Sequence, residues 1–134
     1  MALYLRLPAT AGFNIDGELI VINAFNANEP EQSLLGKDVN IIASGPSIEK
    51  LSWSELLDTA TIFVNGSLSL LEHHHFTDIA GYVISDARFI DHQPEILRQY
   101  YTGQPLYATL AVFEAMATTH PDIMRTYSHA MRVL

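Results

Sequence analysis

The sequence predicts an α/β fold with a mainly parallel sheet of about four strands, preceded by an N-terminal β-hairpin or arm. From residue 37 onward, short apolar runs rich in β-branched residues alternate with segments of helical spacing. A polar turn follows each of the first three runs, whereas the first 36 residues follow a different, period-two pattern. The repeated order of strand, polar turn and helix is typical of a parallel sheet built from βαβ units.

The composition limits the classes of protein to which this chain could belong. Of the 134 residues, 49% are hydrophobic and 16% are charged, which is typical of one globular domain rather than a disordered chain. The absence of cysteine excludes disulfides, thiolate metal sites and thiol nucleophiles. No apolar run reaches the ~20 residues of a membrane-spanning helix, and the N-terminus lacks a signal-peptide pattern, so a cytoplasmic protein is expected.

The formal net charge of −8 opposes nonspecific binding to nucleic acid, because such binding depends on Lys and Arg side chains that neutralise phosphates. A small phosphorylated ligand would therefore need backbone N–H groups and one or two well-placed cations. No nucleic-acid partner is expected.

Residues 1–36 are predicted to form the arm or hairpin, and residues 37–134 the main part of a single globular unit. Residues 3–7 alternate between apolar and polar positions, Asp16-Gly17 is a turn signal, and residues 18–22 form a second candidate strand. In the main part, strands are predicted at 39–43, 61–64, 81–84 and near 106–108. Helices are predicted at 48–57, 68–75, 90–101 and from 112 to the C-terminus, where one apolar face would carry Met124, Tyr127, Met131 and Leu134.

Right-handed crossovers would bring the three polar turns together at the carboxyl edge of the sheet, where ligands bind in open α/β sheets. The first turn is Ser44-Gly45-Pro46-Ser47. Gly45 permits a close backbone approach, Pro46 suits the first position of a helix, and the two serines offer hydroxyls. These features predict a small cradle for phosphate or carboxylate. The alternative is an ordinary strand-to-helix turn capped by serine.

The second and third turns are Asn65-Gly66-Ser67 and Ser85-Asp86-Ala87-Arg88. Asn65 can both donate to and accept from a ribose or base, although Asn-Gly is also a common turn without function. Asp86 could accept hydrogen bonds from ligand hydroxyls and Arg88 could bind an anion, whereas the alternative is a local pair that caps the next helix.

Histidines are the remaining candidates for chemistry. Three consecutive histidines at 73–75 point in different directions on a helix and cannot converge on one ion, so no metal site is expected. His92 follows the third turn and, with Asp86, is a candidate general base. The alternative is a surface histidine beside Asp91.

Taken in order, residues 41–47, 62–67 and 83–89 resemble the lipopolysaccharide-core Kdo transferases. They are more loosely similar to the bacterial family-42 sialyltransferases. The resemblance implies a three-layer Rossmann-like domain, a CMP-activated acidic sugar such as CMP-Kdo as donor, and no metal or other cofactor. It implies that Gly45, Pro46 and Ser47 face the phosphate and sugar and that Asn65 contacts the ribose or donor. Asp86 and Arg88 match a conspicuous segment of the family.

The same resemblance implies a lipid-linked saccharide acceptor and a position at the inner membrane. The apolar face of the C-terminal helix could pack internally or against a partner, so a homo-oligomer is left open. Kdo transferases are about twice as long, and their later half supplies further cytidine contacts and the general base. Three functions therefore stay open: a transferase domain, a non-catalytic nucleotide-binding or interaction module, and an ATP- and magnesium-dependent enzyme similar to pterin pyrophosphokinases.

Overall fold

The computed structural model describes residues 10–26, 36–43 and 53–134. Seven strands lie in these residues: β1 (Ala11–Ile15), β2 (Glu18–Ala24), β3 (Val39–Ala43), β4 (Ala60–Val64), β5 (Ile79–Ile84), β6 (Leu106–Ala108) and β7 (Met131–Val133). The α-helices are α1 (Trp53–Leu56), α2 (Ala87–His92), α3 (Pro94–Tyr100), α4 (Leu110–Thr119) and α5 (Pro121–Tyr127). Two 3-10 helices span Asn65–Glu72 and Ser128–Ala130.

All seven strands belong to one sheet, in the order β1-β2-β7-β6-β5-β4-β3. β1 is antiparallel to β2, and every other neighbouring pair is parallel. The predicted α/β class with a mainly parallel sheet is confirmed. The predicted strand count is wrong, because six mutually parallel strands are found where about four were expected.

The N-terminal hairpin turns at Asp16-Gly17, as the sequence predicts. Both residues have positive φ, 53° and 83°, which matches the right-handed twist of the flanking strands. Asn14 supports the turn, since its Oδ1 accepts a hydrogen bond from the Gly17 N–H at 3.0 Å. The first strand of the hairpin is β1, whereas the strand predicted at residues 3–7 lies outside the described residues. β2 pairs in parallel with β7, so the hairpin extends the main sheet.

The C-terminal segment corrects the sequence prediction. α5 ends at Tyr127, and the next regular element after a short 3-10 helix is β7, which lies between β2 and β6. Met131 is therefore a strand residue and Leu134 follows the strand, so neither extends a C-terminal helix. Met124 and Met131 are both fully buried in the hydrophobic core.

Two further helix predictions change in detail. The helix predicted at 90–101 is two helices, because Gln93 has a non-helical backbone and Pro94 begins α3. The helix predicted at 68–75 is a 3-10 helix that begins earlier, at Asn65. Of the helix predicted at 48–57, the structure describes only the part that contains α1.

The described helices between β4 and β7 pack on one face of the sheet. Because these strands lie side by side in chain order, right-handed crossovers place the intervening helices on the same side. Alternate strand positions that face these helices, such as Phe63, Tyr82 and Leu106, are fully buried. The strand positions on the opposite face of the sheet include Leu19 and Ile41, which are 68% and 70% exposed. Among the described residues, no helix is long and apolar enough to cross a membrane.

Two buried tyrosines, Tyr82 in β5 and Tyr101 just after α3, make a testable contribution to stability. The Tyr82 and Tyr101 rings lie 5.8 Å apart, and neither hydroxyl has a hydrogen-bond partner among the described residues. Burial raises the pKa of both phenols well above the ordinary value. Below about pH 10 both are neutral in the folded and unfolded chain, so their ionisation does not affect stability there.

Above about pH 10 the unfolded chain releases phenolic protons that the folded chain retains, so stability is expected to fall as pH rises. Ultraviolet absorbance of the phenolate should show these two tyrosines ionising together with unfolding. Tyr82→Phe should raise the free energy of unfolding at neutral pH by about 1 kcal/mol and move alkaline unfolding to higher pH. Tyr100→Phe is the matched control. A marked loss of stability in Tyr82→Phe would contradict the prediction.

Candidate functional site

The carboxyl ends of β3, β4 and β5 lie side by side. In the parallel register Ala43 pairs with Val64, and Val64 pairs with Val83. The residues that follow β4 and β5 therefore meet at one edge of the sheet. The first predicted turn, Ser44, Gly45, Pro46 and Ser47, follows β3 in sequence but lies outside the described residues.

Asn65 joins the two described turns. Its side-chain Oδ1 accepts hydrogen bonds from the backbone N–H of Ser85 at 2.8 Å and of Asp86 at 3.4 Å. Its Nδ2 donates to the Ser85 hydroxyl at 3.1 Å. Asn65 has a φ of 49°, a left-handed conformation that asparagine tolerates better than most residues. We call this set of bonds the Asn65 bridge; it makes Asn65 a positioning residue for the loop after β5.

Ser67 is part of the fold rather than of the cleft surface. It is 1% exposed, its hydroxyl donates to the Ile42 carbonyl at 2.6 Å, and it accepts from the Val64 N–H at 3.0 Å. These bonds tie the start of the 3-10 helix to β3 and β4. Because both hydrogen-bonding directions of the hydroxyl are used, the structure does not present Ser67 to a ligand.

Asp86 and Arg88 form an ion pair with each other. The Asp86 carboxylate caps α2 by accepting from the Arg88 backbone N–H at 3.0 Å. The Arg88 guanidinium donates to both carboxylate oxygens, through Nε–H at 3.1 Å and Nη2–H at 3.0 Å. The Arg88 side chain is nevertheless 80% exposed. The local capping pair, one of the two alternatives from the sequence, is thus present in the structure.

The same pair sets the charge state of the loop. The side-chain hydrogen bond from Arg88, followed by the backbone hydrogen bond from Arg88, holds the pKa of Asp86 below its usual range. The hydrogen bond and charge of Asp86 in turn raise the pKa of Arg88. Both side chains are therefore ionised at neutral pH.

A cleft of 420 Å³ lies over this edge. Its lining residues come from the segments that follow β4 and β5: Asn65, Gly66, Asp86, Arg88, Phe89, His92 and Gln93. The structure thus brings five of the sequence-predicted site residues to one cleft, whereas Ser67 is buried and Ser85 is exposed beside the Asn65 bridge. Among the described residues, the cleft combines the Arg88 guanidinium, the Asp86 carboxylate and the His92 imidazole.

Phe89 and Gln93 also line the cleft, although neither was predicted from the sequence as a site residue. Helical spacing was the signal that could have identified them. In a helix that begins after Asp86, residues four positions apart share a face, so Arg88 lies with His92 and Phe89 lies with Gln93. Phe89 is 8% exposed and contributes an apolar wall.

One of the three consecutive histidines packs against an aromatic ring. His74 stacks on Trp53 with ring centroids 3.9 Å apart and an interplanar angle of 11°. Within residues 10–26, 36–43 and 53–134, no group of three or more His, Asp or Glu side chains is placed to hold a metal ion.

Comparison of the chain with the models of known protein families, with curated proteins and with solved structures gives no match.

The Asn65 bridge predicts a graded set of mutational effects. Asn65→Ala removes the hydrogen bonds and places alanine, which tolerates positive φ less well than asparagine, at this position. We therefore expect the free energy of unfolding to fall by about 2–3 kcal/mol. Asn65→Gly removes the bonds but accepts the φ of 49°, and should be about 1 kcal/mol less destabilising than Asn65→Ala. Urea unfolding measures both values.

Asn65→Asp is the control, since its carboxylate oxygen still accepts from the two backbone N–H groups. Hydrogen exchange of the Ser85 and Asp86 amides should be faster in Asn65→Gly and close to wild type in Asn65→Asp. Unchanged exchange in Asn65→Gly would show that the bridge does not hold this loop.

Proposed function

We propose that the cleft binds the donor substrate of a sugar-nucleotide-dependent glycosyltransferase domain of Rossmann-like type, with CMP-Kdo as the donor. The observation that carries the proposal is the Asn65 bridge, which joins the ends of β4 and β5 beside a cleft that contains Asp86 and Arg88. Its volume of 420 Å³ falls within the range of small-molecule sites in proteins.

The local charge at the cleft, rather than the net charge of the chain, supports a small anionic ligand. The chain carries a formal net charge of −8, so its overall field repels anions and local cations must bind them. Arg88 is such a cation, since its guanidinium lies at the cleft and is 80% exposed. The planar guanidinium matches the geometry of phosphate and carboxylate groups, both of which CMP-Kdo contains.

The choice of donor within this class comes from the resemblance of the three turns to those of Kdo transferases. Asp86 and the polar rim of the cleft fit the hydroxyls of a sugar. By the same resemblance, we propose a lipid-linked saccharide as the acceptor.

In the transfer step, an acceptor hydroxyl oxygen forms a bond to the anomeric carbon of the donor as the bond from that carbon to the CMP phosphate oxygen breaks. The electron pair leaves with CMP, whose phosphate charge Arg88 would stabilise. The hydroxyl proton passes to a base. His92 is the better candidate base, because the lowered pKa of Asp86 makes that carboxylate a weak one.

Isothermal titration with CMP and CMP-Kdo tests the proposal. Both should bind the wild-type protein, and Arg88→Gln should weaken binding roughly 10- to 100-fold, the effect of losing a charge-assisted hydrogen bond. Arg98→Gln is the matched control, since Arg98 also pairs with an exposed aspartate, Asp122, at 3.0 Å. Failure of both ligands to bind folded wild-type protein would reject the donor site.

The same samples separate the alternative functions. Binding of CMP-Kdo without sugar transfer or donor hydrolysis would select the non-catalytic module. Magnesium-dependent binding of ATP, with no affinity for CMP, would instead select an enzyme similar to the pterin pyrophosphokinases.

A further inference from the structure

We propose that Asp86 and Arg88 form a ligand-operated latch: an anionic group of the ligand replaces Asp86 at the Nε/Nη2 edge of Arg88, and the released carboxylate accepts a hydroxyl of the same ligand. The inference rests on the proposed binding cleft and names the chemical class that the cleft selects. That class is a small molecule that carries an anionic group close to a hydroxyl, as an acidic or phosphorylated sugar does.

The first support is the way in which Arg88 is held. Asp86 binds the guanidinium through two donors, Nε–H and Nη2–H, at 3.1 and 3.0 Å. This is the same two-point geometry with which arginine binds a phosphate or a carboxylate ligand. Asp86 thus occupies the edge of Arg88 that a ligand anion would use.

The second support is the exposure of the pair. The side chains of Arg88 and Asp86 are 80% and 42% exposed. Water screens ion pairs between exposed side chains, so opening such a pair costs little free energy. An incoming anion can therefore displace Asp86 without disturbing the core.

The third support is the separate anchoring of Asp86. Its Oδ1 also accepts from the Arg88 backbone N–H at 3.0 Å, and the Asp86 backbone N–H is part of the Asn65 bridge. When the guanidinium moves to a ligand, these two contacts still hold the carboxylate at the cleft. Asp86 then presents acceptor oxygens at a fixed position beside the bound anion.

Asp86→Asn separates the two roles of Asp86, which caps α2 and holds the Arg88 guanidinium. Asparagine is as good a helix cap as aspartate, so the start of α2 is retained, but a neutral amide competes poorly for Arg88. We expect Asp86→Asn to bind inorganic phosphate about threefold to fivefold more tightly than wild type at low ionic strength. The double variant Asp86→Asn/Arg88→Gln should lose this gain. Asp122→Asn, which removes the same charge at the Arg98 pair, should leave phosphate affinity at the wild-type value.

Inorganic phosphate is the probe, with affinity measured by titration and the Arg88 Nε–H followed by NMR. In wild-type protein this signal should shift on phosphate addition, because its acceptor changes from Asp86 to phosphate. Equal phosphate affinity of wild type and Asp86→Asn, or a gain that persists in the double variant, would overturn the latch. Absence of CMP binding alongside the expected phosphate results would reject the proposed donor while retaining the latch.

Discussion

Met131→Ala is expected to lower the free energy of unfolding by about 2–5 kcal/mol, although only three residues follow Met131 in the sequence. Its side chain is fully buried, and β7 lies between β2 and β6. Truncation removes buried apolar area and leaves a cavity where the N-terminal hairpin joins the rest of the sheet. Urea unfolding followed by circular dichroism measures the loss.

Leu134→Ala is the matched control, because Leu134 is 54% exposed just after the strand. We expect its effect to stay within about 0.5 kcal/mol. A C-terminal helix with Met131 and Leu134 on one apolar face would instead make the two substitutions similarly costly. Comparable losses in both variants would therefore contradict the strand.

This difference shows where the sequence pattern is ambiguous. Residues 124, 127, 131 and 134 follow helical spacing, and the first two of them do lie in a helix, α5. A three-residue strand is too short to show a period of its own, so its apolar residues extend the preceding helical pattern. Only the pairing of β7 with β2 and β6 reveals the strand, and these partners are distant in sequence.

Longer elements were easier to predict. β4 and β5 are largely buried apolar runs, and β3 is an apolar edge strand in which only Ile42 is buried. A polar turn follows each of the three in the sequence, and their predicted positions agree with the structure to within two residues. The Asp16-Gly17 turn was also predictable, because few residue pairs accept positive φ at both positions. The break between α2 and α3 could have been predicted from Pro94.

For the candidate site, the sequence places Asn65, Asp86 and Arg88 at neighbouring strand ends but does not determine their hydrogen bonds. Whether a polar side chain faces a ligand or the protein depends on contacts across the sheet. Ser67 illustrates this limit: it belongs to a predicted ligand turn, yet its hydroxyl bonds to β3, 25 residues away in sequence.

Gly81→Ala is the second substitution with a large expected effect. Gly81 lies in β5, where an added Cβ would approach the backbone carbonyl oxygen of Pro105 to 2.9 Å. That carbonyl accepts the Tyr82 N–H at 2.9 Å, so it cannot move away without weakening the bond that begins the pairing of β5 with β6. We expect a loss of about 1–3 kcal/mol in the free energy of unfolding, and more for Gly81→Val.

Gly12→Ala, in β1, controls for the general effect of replacing a strand glycine. Its Cβ would lie 3.2 Å from the Leu19 Cδ1, the end of an exposed side chain that can rotate away. Its stability should therefore equal or slightly exceed that of wild type, since alanine restricts the unfolded chain. Equal losses in both variants would rule out the Pro105 contact as the cause.

The effect of Gly81→Ala should extend to the cleft. β5 continues from Gly81 through Ile84 to the loop that carries Asp86 and Arg88, so a displaced strand moves this loop relative to Asn65. We expect weaker binding of CMP by the folded fraction of Gly81→Ala, whereas Gly12→Ala should bind like wild type. Wild-type affinity in a destabilised Gly81→Ala would mean that the Asn65 bridge, rather than the strand register, determines the position of the loop.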